Sequence, residues 1–408
     1  MNQYVKKARD NALAVLKPDQ AQLERGLALH QDSVVCDAYG FSPYCLPANV
    51  VDVVREAIDA GATQAEVSQR LLNLQITGKV KDAAALAEFI EVFDDAGVTC
   101  IVQNAGEGRN LFESLERMAM FTHICDELPH VVTKAVKVSD IQRAHDQARH
   151  SLLFSLNNPI MHQAWDFWQQ ELYPLEIFHQ AGIRIMHLTY NRRNRAGDGC
   201  AEPGNAGISD FGIDVVREMN RLGIIVDLAH AGWQTCKDAA RVSNQPVVVS
   251  HSSCHALCEH VRGKPDDVIQ AVVDTGGYIG ICAVPPFLGR AGDITSLLDH
   301  IDYVVQKWGS SHVAIGTDTL YFLPLPEQVE QMTKPLKSKR SFWSHWPEND
   351  PLFAPGAEDD SRVEKGGTLS WTNWPLFTAG LVQRGYGDDD IRAIIGGNVM
   401  RVMREVCG

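Results

Sequence analysis

Two histidines, His230 and His251, each close a short run of β-forming residues. The runs read GIIVDLAH (Gly223–His230) and PVVVSHSS (Pro246–Ser253), and a segment long enough for one short helix joins them. This pattern predicts a strand–helix–strand unit with both imidazoles at the carboxyl ends of the strands, where α/β folds place their active sites. A lone histidine at a strand end is more often a buried hydrogen-bonding residue. Two of them in consecutive strands favour a site for a divalent cation.

Eight apolar runs of strand length alternate with helical segments along the chain. The predicted strands are Ser33–Tyr39, Val98–Asn104, Leu152–Asn157, Ile183–Asn191, Gly223–His230, Pro246–His251, Tyr278–Val284 and His312–Asp318. Phe211–Leu222 and Ile294–Trp308 are examples of the segments between them, with apolar residues at helical spacing. Eight strands that alternate with helices predict a closed (β/α)8 barrel, the TIM barrel. Seven of the runs end in polar residues, as expected if the chemistry lies at the carboxyl-terminal mouth.

Two segments do not fit a minimal barrel. Residues 1–32 are predicted to form one or two amphipathic helices outside a barrel of residues 33–408. Residues 322–369 are rich in proline, glycine, charge and aromatic side chains, and they follow the eighth strand directly. A loop of this length in a compact domain is usually functional, so we interpret it as a lid over the mouth or as an oligomer contact.

Composition excludes several classes of partner. The 408 residues carry a net charge of −14, which argues against binding to nucleic acid or to an anionic membrane. The N-terminus lacks the apolar core of a signal peptide, and no apolar stretch is long enough to span a bilayer. The ten cysteines show no CxxC spacing. The sequence thus predicts a cytoplasmic protein whose partner is a small molecule.

Several longer blocks carry a family resemblance. VREMNRLGIIVDLAH, SHSSCHALCEHVRG, GIRIMHLTYN and HVAIGTD are similar to the membrane (renal) dipeptidase family, metallopeptidase family M19, a branch of the amidohydrolase-type TIM barrels. The likeness runs from about residue 30 to residue 406. It implies a barrel that hydrolyses dipeptides with two bridged divalent ions, usually zinc. Because members often dimerise, it also allows a homodimer.

The resemblance assigns roles to four residues that match the family's pattern. His230 and His251 match two histidines that bind one of the ions. Arg262, in HVRG, matches an arginine that binds the terminal carboxylate of the substrate. Asp318, in IGTD, matches an aspartate that acts at the first metal and in proton transfer.

Other positions of the family's site are replaced. Tyr39 and Phe41 stand where the family has a histidine and an aspartate ligand, and Tyr190 stands for a histidine that polarises the substrate. Asn157 stands for the glutamate that bridges the two ions. Two neighbouring cations need an anionic ligand between them, and the amide of Asn157 is neutral. We therefore expect that no binuclear centre forms.

A single ion remains compatible with the residues that survive. His230 and His251 supply two nitrogen ligands, and Asp318 or Asp37 is a candidate for the third. Asp37 lies two residues before Tyr39, so we expect both side chains to lie on the same face of the strand and to point into the mouth. Such a site could lower the pKa of a bound water to about 7, with Asp318 or Asp37 as the general base.

The remaining polar groups of the mouth favour binding of a small anion. Tyr39 and Tyr190 could donate hydrogen bonds, or transfer protons if their pKa values are depressed, while Asn157 and Arg262 could bind substrate. We interpret the chain as a divergent metallohydrolase of a small carboxylate-bearing amide or dipeptide, with one zinc or other divalent ion at most, or none. Two alternatives stay open: a metal-independent isomerase or lyase on the same barrel, and a non-catalytic member that only binds.

Overall fold

A computed structural model describes residues 1–107, 111–159, 168–289, 291–334 and 362–408. Its strands are β1 (Cys36–Gly40), β2 (Cys100–Gly106), β3 (Val132–Ala135), β4 (His150–Leu156), β5 (Ile185–His187), β6 (Ile225–Asp227), β7 (Val249–Ser252), β8 (Ile279–Ile281) and β9 (Val313–Ile315). Its α-helices are α1 (Gln3–Leu16), α2 (Gln20–Gln31), α3 (Val50–Asp59), α4 (Gln64–Thr77), α5 (Ala83–Ala96), α6 (Leu111–Glu127), α7 (Val138–Asp146), α8 (Trp168–Gln180), α9 (Asp210–Leu222), α10 (Trp233–Val242), α11 (Asp266–Asp274), α12 (Ile294–Trp308), α13 (Glu327–Thr333), α14 (Trp374–Gln383), α15 (Asp388–Arg392) and α16 (Asn398–Cys407).

Eight of the strands form a ring of parallel neighbours. One hydrogen-bonded sheet runs β1-β2-β4-β5-β6, and a second runs β7-β8-β9. A parallel bridge between Asp227 and Val248 joins β6 to β7. The amide of Asp318 donates to the carbonyl of Tyr39 at 2.9 Å, which joins the end of β9 to β1. The predicted (β/α)8 barrel is therefore confirmed, and each of the eight predicted runs overlaps one strand of the ring.

The ninth strand, β3, is an addition that the sequence pattern did not predict. It pairs with the first half of β4, from Val132 opposite His150 to Ala135 opposite Leu153. The second half of β4 pairs instead with β5. Thus β3 lies beside the ring without being one of its members.

The helix α9 shows how local sequence sets the elements that carry the site. The side chain of Ser209 accepts a hydrogen bond from the amide of Gly212 and caps the helix. Its apolar stripe, which includes Val215 and Met219, is buried against the barrel. Gly223 ends the helix at a φ of 73°, a left-handed conformation that glycine adopts without strain. The chain then enters β6 directly.

Two glycines let the backbones of β7, β8 and β9 approach closely at the mouth. A Cβ at Gly280 would lie 1.8 Å from the carbonyl oxygen of Ser250, and one at Gly316 would lie 2.0 Å from the same oxygen. No larger residue fits at either position. The ends of these strands are therefore held near one another, with His251 inside β7 and Asp318 after β9.

The N-terminal segment forms two helices, α1 and α2, which pack on the C-terminal part of the chain. The carbonyl of Leu16 accepts from Gln383 of α14 at 2.7 Å, and the carbonyl of Ala8 accepts from Asn373 at 3.1 Å. The division into residues 1–32 and 33–408 stays a prediction. Most of the predicted lid or interface segment, residues 335–361, lies outside the described residues. In the part of the chain that the structure describes, no helix combines the length and apolar character needed to cross a bilayer.

Two buried histidines outside the mouth should make stability depend on pH. Burial lowers the pKa of His30 and of His300 to about 4. Between that value and the ordinary histidine pKa of about 6.5, the unfolded chain binds more protons than the folded one. The stabilisation is therefore complete above pH 6.5 and is lost as the pH falls towards 4. We expect the free energy of unfolding to drop by roughly 3 kcal/mol between pH 7.5 and 5.5 through this pair.

Urea unfolding at the two pH values tests this expectation. The double variant His30→Gln/His300→Gln should depend less steeply on pH than the parent. His130→Gln, at an exposed position, is the matched control and should keep the full dependence. An unchanged slope in the double variant would contradict the assignment.

Candidate metal centre

Three histidine side chains meet at the carboxyl ends of neighbouring strands. His187 ends β5, His230 follows β6 and His251 lies in β7. The Nε2 atoms of His230 and His251 are 3.0 Å apart. One ligating atom from each of the three rings lies within 4.8 Å of the others, and all three residues are buried. The structure thus brings the two predicted histidines together and adds a third that sequence reasoning missed.

Hydrogen bonds to Nδ1 orient the two predicted rings. Nδ1 of His230 lies 2.6 Å from Oδ1 of Asn191, which is a hydrogen-bond acceptor. Nδ1 therefore carries the ring proton, and Nε2 has a free lone pair. Nδ1 of His251 lies 2.8 Å from Oγ of Ser250. Burial, with the charge of Arg262 second, lowers the pKa of both histidines well below its usual value. Both imidazoles are therefore neutral, as metal ligands must be.

The third histidine, His187, is paired with a carboxylate on the next strand. It is directly opposite Asp227 in the register of β5 and β6, and its Nε2 lies 3.0 Å from Oδ2 of Asp227. Burial opposes ionisation of Asp227, but His187 and hydrogen bonds from Ser250 outweigh it and lower the pKa of that carboxyl. The one available signal was an aspartate inside an apolar run, VDLAH, which calls for a polar partner on a neighbouring strand.

The two tyrosines predicted at the mouth stack on the histidines. The ring of Tyr39 lies parallel to His251 with centroids 4.0 Å apart, and Tyr190 covers His230 at 4.2 Å. The hydroxyl of Tyr39 donates to Oδ1 of Asn157 at 2.5 Å, so the amide oxygen proposed for substrate already has a partner. Burial raises the pKa of both tyrosines. A raised pKa is the opposite of the depressed value that proton transfer requires, so both phenols keep their protons.

Asp318 reaches the same cluster from the end of β9. Its Oδ2 lies 3.9 Å from Nε2 of His251, and its side chain is 24% exposed, towards the mouth. Burial raises the pKa of this carboxyl to about 6, an effect that the charges of Arg262 and His187 partly oppose. Its φ of 55° is left-handed, a conformation that aspartate tolerates better than most residues. The backbone hydrogen bond to Tyr39 holds it there.

Arg262 lies behind the histidines, almost fully buried. Its Nη1 donates to the carbonyl of Ala229, and its Nη2 donates to the carbonyl of His251 at 3.1 Å. Its Nε is buried without a hydrogen-bond partner among the described residues. The guanidinium therefore braces the ends of β6 and β7, and its role in substrate binding stays a prediction.

Asp37 does not lie with the histidines. Its Oδ1 accepts from the amides of Thr317 and Tyr39 at 2.8 and 3.3 Å. Its Oδ2 accepts from Thr317 Oγ1 at 2.6 Å and from Nε1 of Trp371 at 3.0 Å. The expectation that Asp37 points with Tyr39 into the mouth assumed strict alternation. The register of β1 shifts between Asp37 and Gly40, which breaks that alternation. Its assignment as a metal ligand is untested, and these contacts favour a structural role.

The donor set fits one divalent cation and does not fit a bridged pair. Among the described residues, His187, His230 and His251 form the one group of three or more potential ligands whose atoms converge. At the family's bridging position stands Asn157, neutral and hydrogen-bonded to Tyr39. A neutral amide at that position does not offset the repulsion between two adjacent cations. The count of one ion at most stays a prediction.

Comparison with known proteins identifies the family. The pattern of the family described as membrane dipeptidase (peptidase family M19) matches residues 23–336. Dipeptidase aclJ of Aspergillus oryzae is 29% identical over 302 residues, which are 72% of this chain and 61% of that protein. Dipeptidase tcpJ of Claviceps purpurea is 32% identical over 237 residues, 57% of this chain and 47% of that protein. The matches thus span about half to three-fifths of these curated relatives.

A solved structure supports the same fold. An amidohydrolase from Pseudomonas aeruginosa superposes with a TM-score of 0.68 at 24% identity, covering 93% of this chain and 98% of that one. The matched family pattern covers far more than half of the 408 residues. The chain therefore belongs to the membrane dipeptidase family, peptidase family M19.

Proposed function

We propose that this protein hydrolyses the amide bond of a small, dipeptide-like substrate that carries a carboxylate, with one divalent cation at most. The observation that carries the proposal is the convergence of two neutral imidazoles, 3.0 Å apart, with the carboxylate of Asp318 3.9 Å from one of them. Membership of a dipeptidase family supports the reaction class. The substrate, the number of ions and the departure from the family's site are our inference.

Asp318 is the group best placed to accept a proton. A divalent cation at the histidines would polarise the substrate carbonyl and make a nearby water more acidic. With a pKa of about 6, Asp318 is mostly ionised at neutral pH and still basic enough to take a proton from that water. Its partial exposure leaves it open to substrate.

Arg262 supports the choice of an anionic substrate. It is 1% exposed, and no carboxylate pairs with it among the described residues. A buried charge without a counter-charge is costly, so an anionic group bound at the mouth would stabilise it. Its charge also partly offsets the effect of burial on the pKa of Asp318, a residue of the mouth.

The tyrosines shape the pocket rather than exchange protons. Tyr190 is partly exposed above His230 and presents a protonated phenol that can donate to a carbonyl or carboxylate. Tyr39 directs its hydroxyl to Asn157 and its ring to His251. The mouth therefore has fewer charges and more donors than the pattern the resemblance implies.

Metal content and a paired substrate panel test the proposal. Untagged protein purified without chelator is analysed by elemental mass spectrometry, and dipeptides are assayed beside the same dipeptides as C-terminal amides. We expect no more than one ion per chain, turnover that requires it, and kcat/KM at least about tenfold higher for the free acids, since charge-assisted bonds to a carboxylate contribute 1.5–3 kcal/mol.

Each alternative has its own result. Full turnover after exhaustive chelation would replace hydrolysis at a metal with metal-independent chemistry. Two ions per chain would contradict the count, and binding without turnover of any amide would favour a non-catalytic member. The cytoplasmic location and the homodimer stay predictions, which fractionation and light scattering would test.

A further inference from the structure

His187 has a nitrogen atom with nothing to bind. The side chain is fully buried, and neither ring nitrogen makes a hydrogen bond among the described residues. Nε2 has the ion-pair contact with Asp227, at 3.0 Å, whereas Nδ1 has no partner there. An unsatisfied polar atom at such a place costs about 1–3 kcal/mol. The ring lies edge-on to both His230 and His251, with centroids 5.3 and 5.4 Å away. The unpaired atom therefore belongs to a residue that faces the other two histidines.

The spacing of the three rings suits one small cation. Nitrogen ligands at 2.0–2.1 Å in tetrahedral geometry lie roughly 3.3 Å from one another. The two Nε2 atoms of His230 and His251 are 3.0 Å apart, and the third ligating atom is within 4.8 Å of both. Small ring rotations would bring all three to bonding distance. Three protein ligands with a fourth position for water is the usual arrangement of catalytic zinc.

Asp227 is built to hold His187 in place. Its Oδ1 accepts from the amides of Ala229 and Ser250, both at 3.0 Å, which ties the carboxylate to the ends of β6 and β7. Its Oδ2 is left for His187, 3.0 Å from Nε2. A carboxylate on the far nitrogen of a ligating histidine fixes the orientation of the ring and raises its basicity. His230 and His251 thus each have a hydrogen-bond partner at Nδ1, and His187 has a carboxylate in ion-pair contact with Nε2.

We propose that His187 is the third ligand of a mononuclear three-histidine site, with Asp227 as its positioning residue. The resemblance implies only His230 and His251 as histidine ligands of that ion. The inference rests on the proposed function for its substrate, but the ligand set can be measured without turnover. It also leaves Asp318 free of the cation, as a base requires.

Cation affinity of variants tests the ligand set. Zinc dissociation constants are measured by competition with a chromophoric chelator for the parent, His187→Asn and Asp227→Asn. We expect His187→Asn to weaken zinc binding on the order of 10³-fold, and Asp227→Asn by about 10- to 100-fold. His312→Asn is the matched control, because His312 also has one ring nitrogen in contact with a partner, here Nδ1 with the carbonyl of Gly277, near the start of β9. It should bind zinc like the parent.

Zinc affinity within threefold of the parent in His187→Asn would overturn the inference. If that variant does not fold, a crystal structure of the zinc-loaded parent tests the proposal instead. Anomalous diffraction would locate the zinc, and we expect a nitrogen of each of the three histidines about 2.0–2.1 Å from it. A His187 ring beyond bonding distance would refute the proposal. The two proposals fail separately, since a three-histidine site without hydrolysis refutes only the function, and hydrolysis with unaltered zinc affinity in His187→Asn refutes only the ligand.

Discussion

Replacing His251 with alanine is expected to remove the cation and to lower kcat/KM for a dipeptide on the order of 10³-fold or more. Three contacts converge on this side chain: Nε2 of His230 at 3.0 Å, the ring of Tyr39 at 4.0 Å and the carboxylate of Asp318 at 3.9 Å. Its loss removes a nitrogen ligand from the centre of the site. Elemental analysis and steady-state kinetics on the same preparation would measure both effects.

Ser250→Ala provides a graded comparison for that variant. Its hydroxyl lies 2.8 Å from Nδ1 of His251 and orients the ring without reaching the cation. Loss of such an outer contact typically reduces metal affinity by about 10- to 100-fold, so turnover should return at high zinc concentration. His251→Ala should not recover in this way. A His251→Ala protein with unchanged metal content would show that the cation, if one is bound, lies elsewhere.

The barrel could be predicted because each strand of its ring is an apolar run of distinct composition. Periodicity and polar ends gave the eight runs, and helix boundaries such as Ile294–Trp308 agree with the structure to the residue. The strand β3 was missed because VTKA is short, has no polar residue at the mouth and pairs only with the start of β4. It is held by pairing with β4, the next strand along the chain, and the pattern within β3 itself does not contain that pairing.

The sequence predicted those site residues that can be recognised from the pattern of a single strand. His230 and His251 could be predicted because each ends its own apolar run. His187 could be recognised only from its pairing with Asp227 on the adjacent strand. That pairing is a matter of register between segments about forty residues apart. Asp37 shows the converse, since a register shift inside β1 defeats the rule of alternating sides. Strand pairing and β-bulges depend on contacts between distant segments, so the local sequence pattern does not determine them.

Asp318→Asn is expected to lower kcat by about 10²- to 10⁴-fold while the metal content stays at the parental value. Asparagine is the suitable replacement, because it keeps the size of the side chain and tolerates the φ of 55° at this position. It cannot accept the proton that Asp318 takes from water. Retained metal with lost turnover would assign Asp318 as the base, whereas loss of the metal would make it a ligand instead.

Asp37→Asn is the matched comparison, since both aspartates lie where the end of β9 contacts β1. Asp37 accepts from Thr317 and Trp371, so an amide group there would place its NH2 against donors and destabilise the fold by about 1–3 kcal/mol. Its folded fraction should nevertheless keep kcat within about threefold of the parent, because none of these contacts includes a histidine of the centre. A kcat lost equally in both variants would mean that the integrity of the β1–β9 junction, rather than proton transfer at Asp318, limits the reaction.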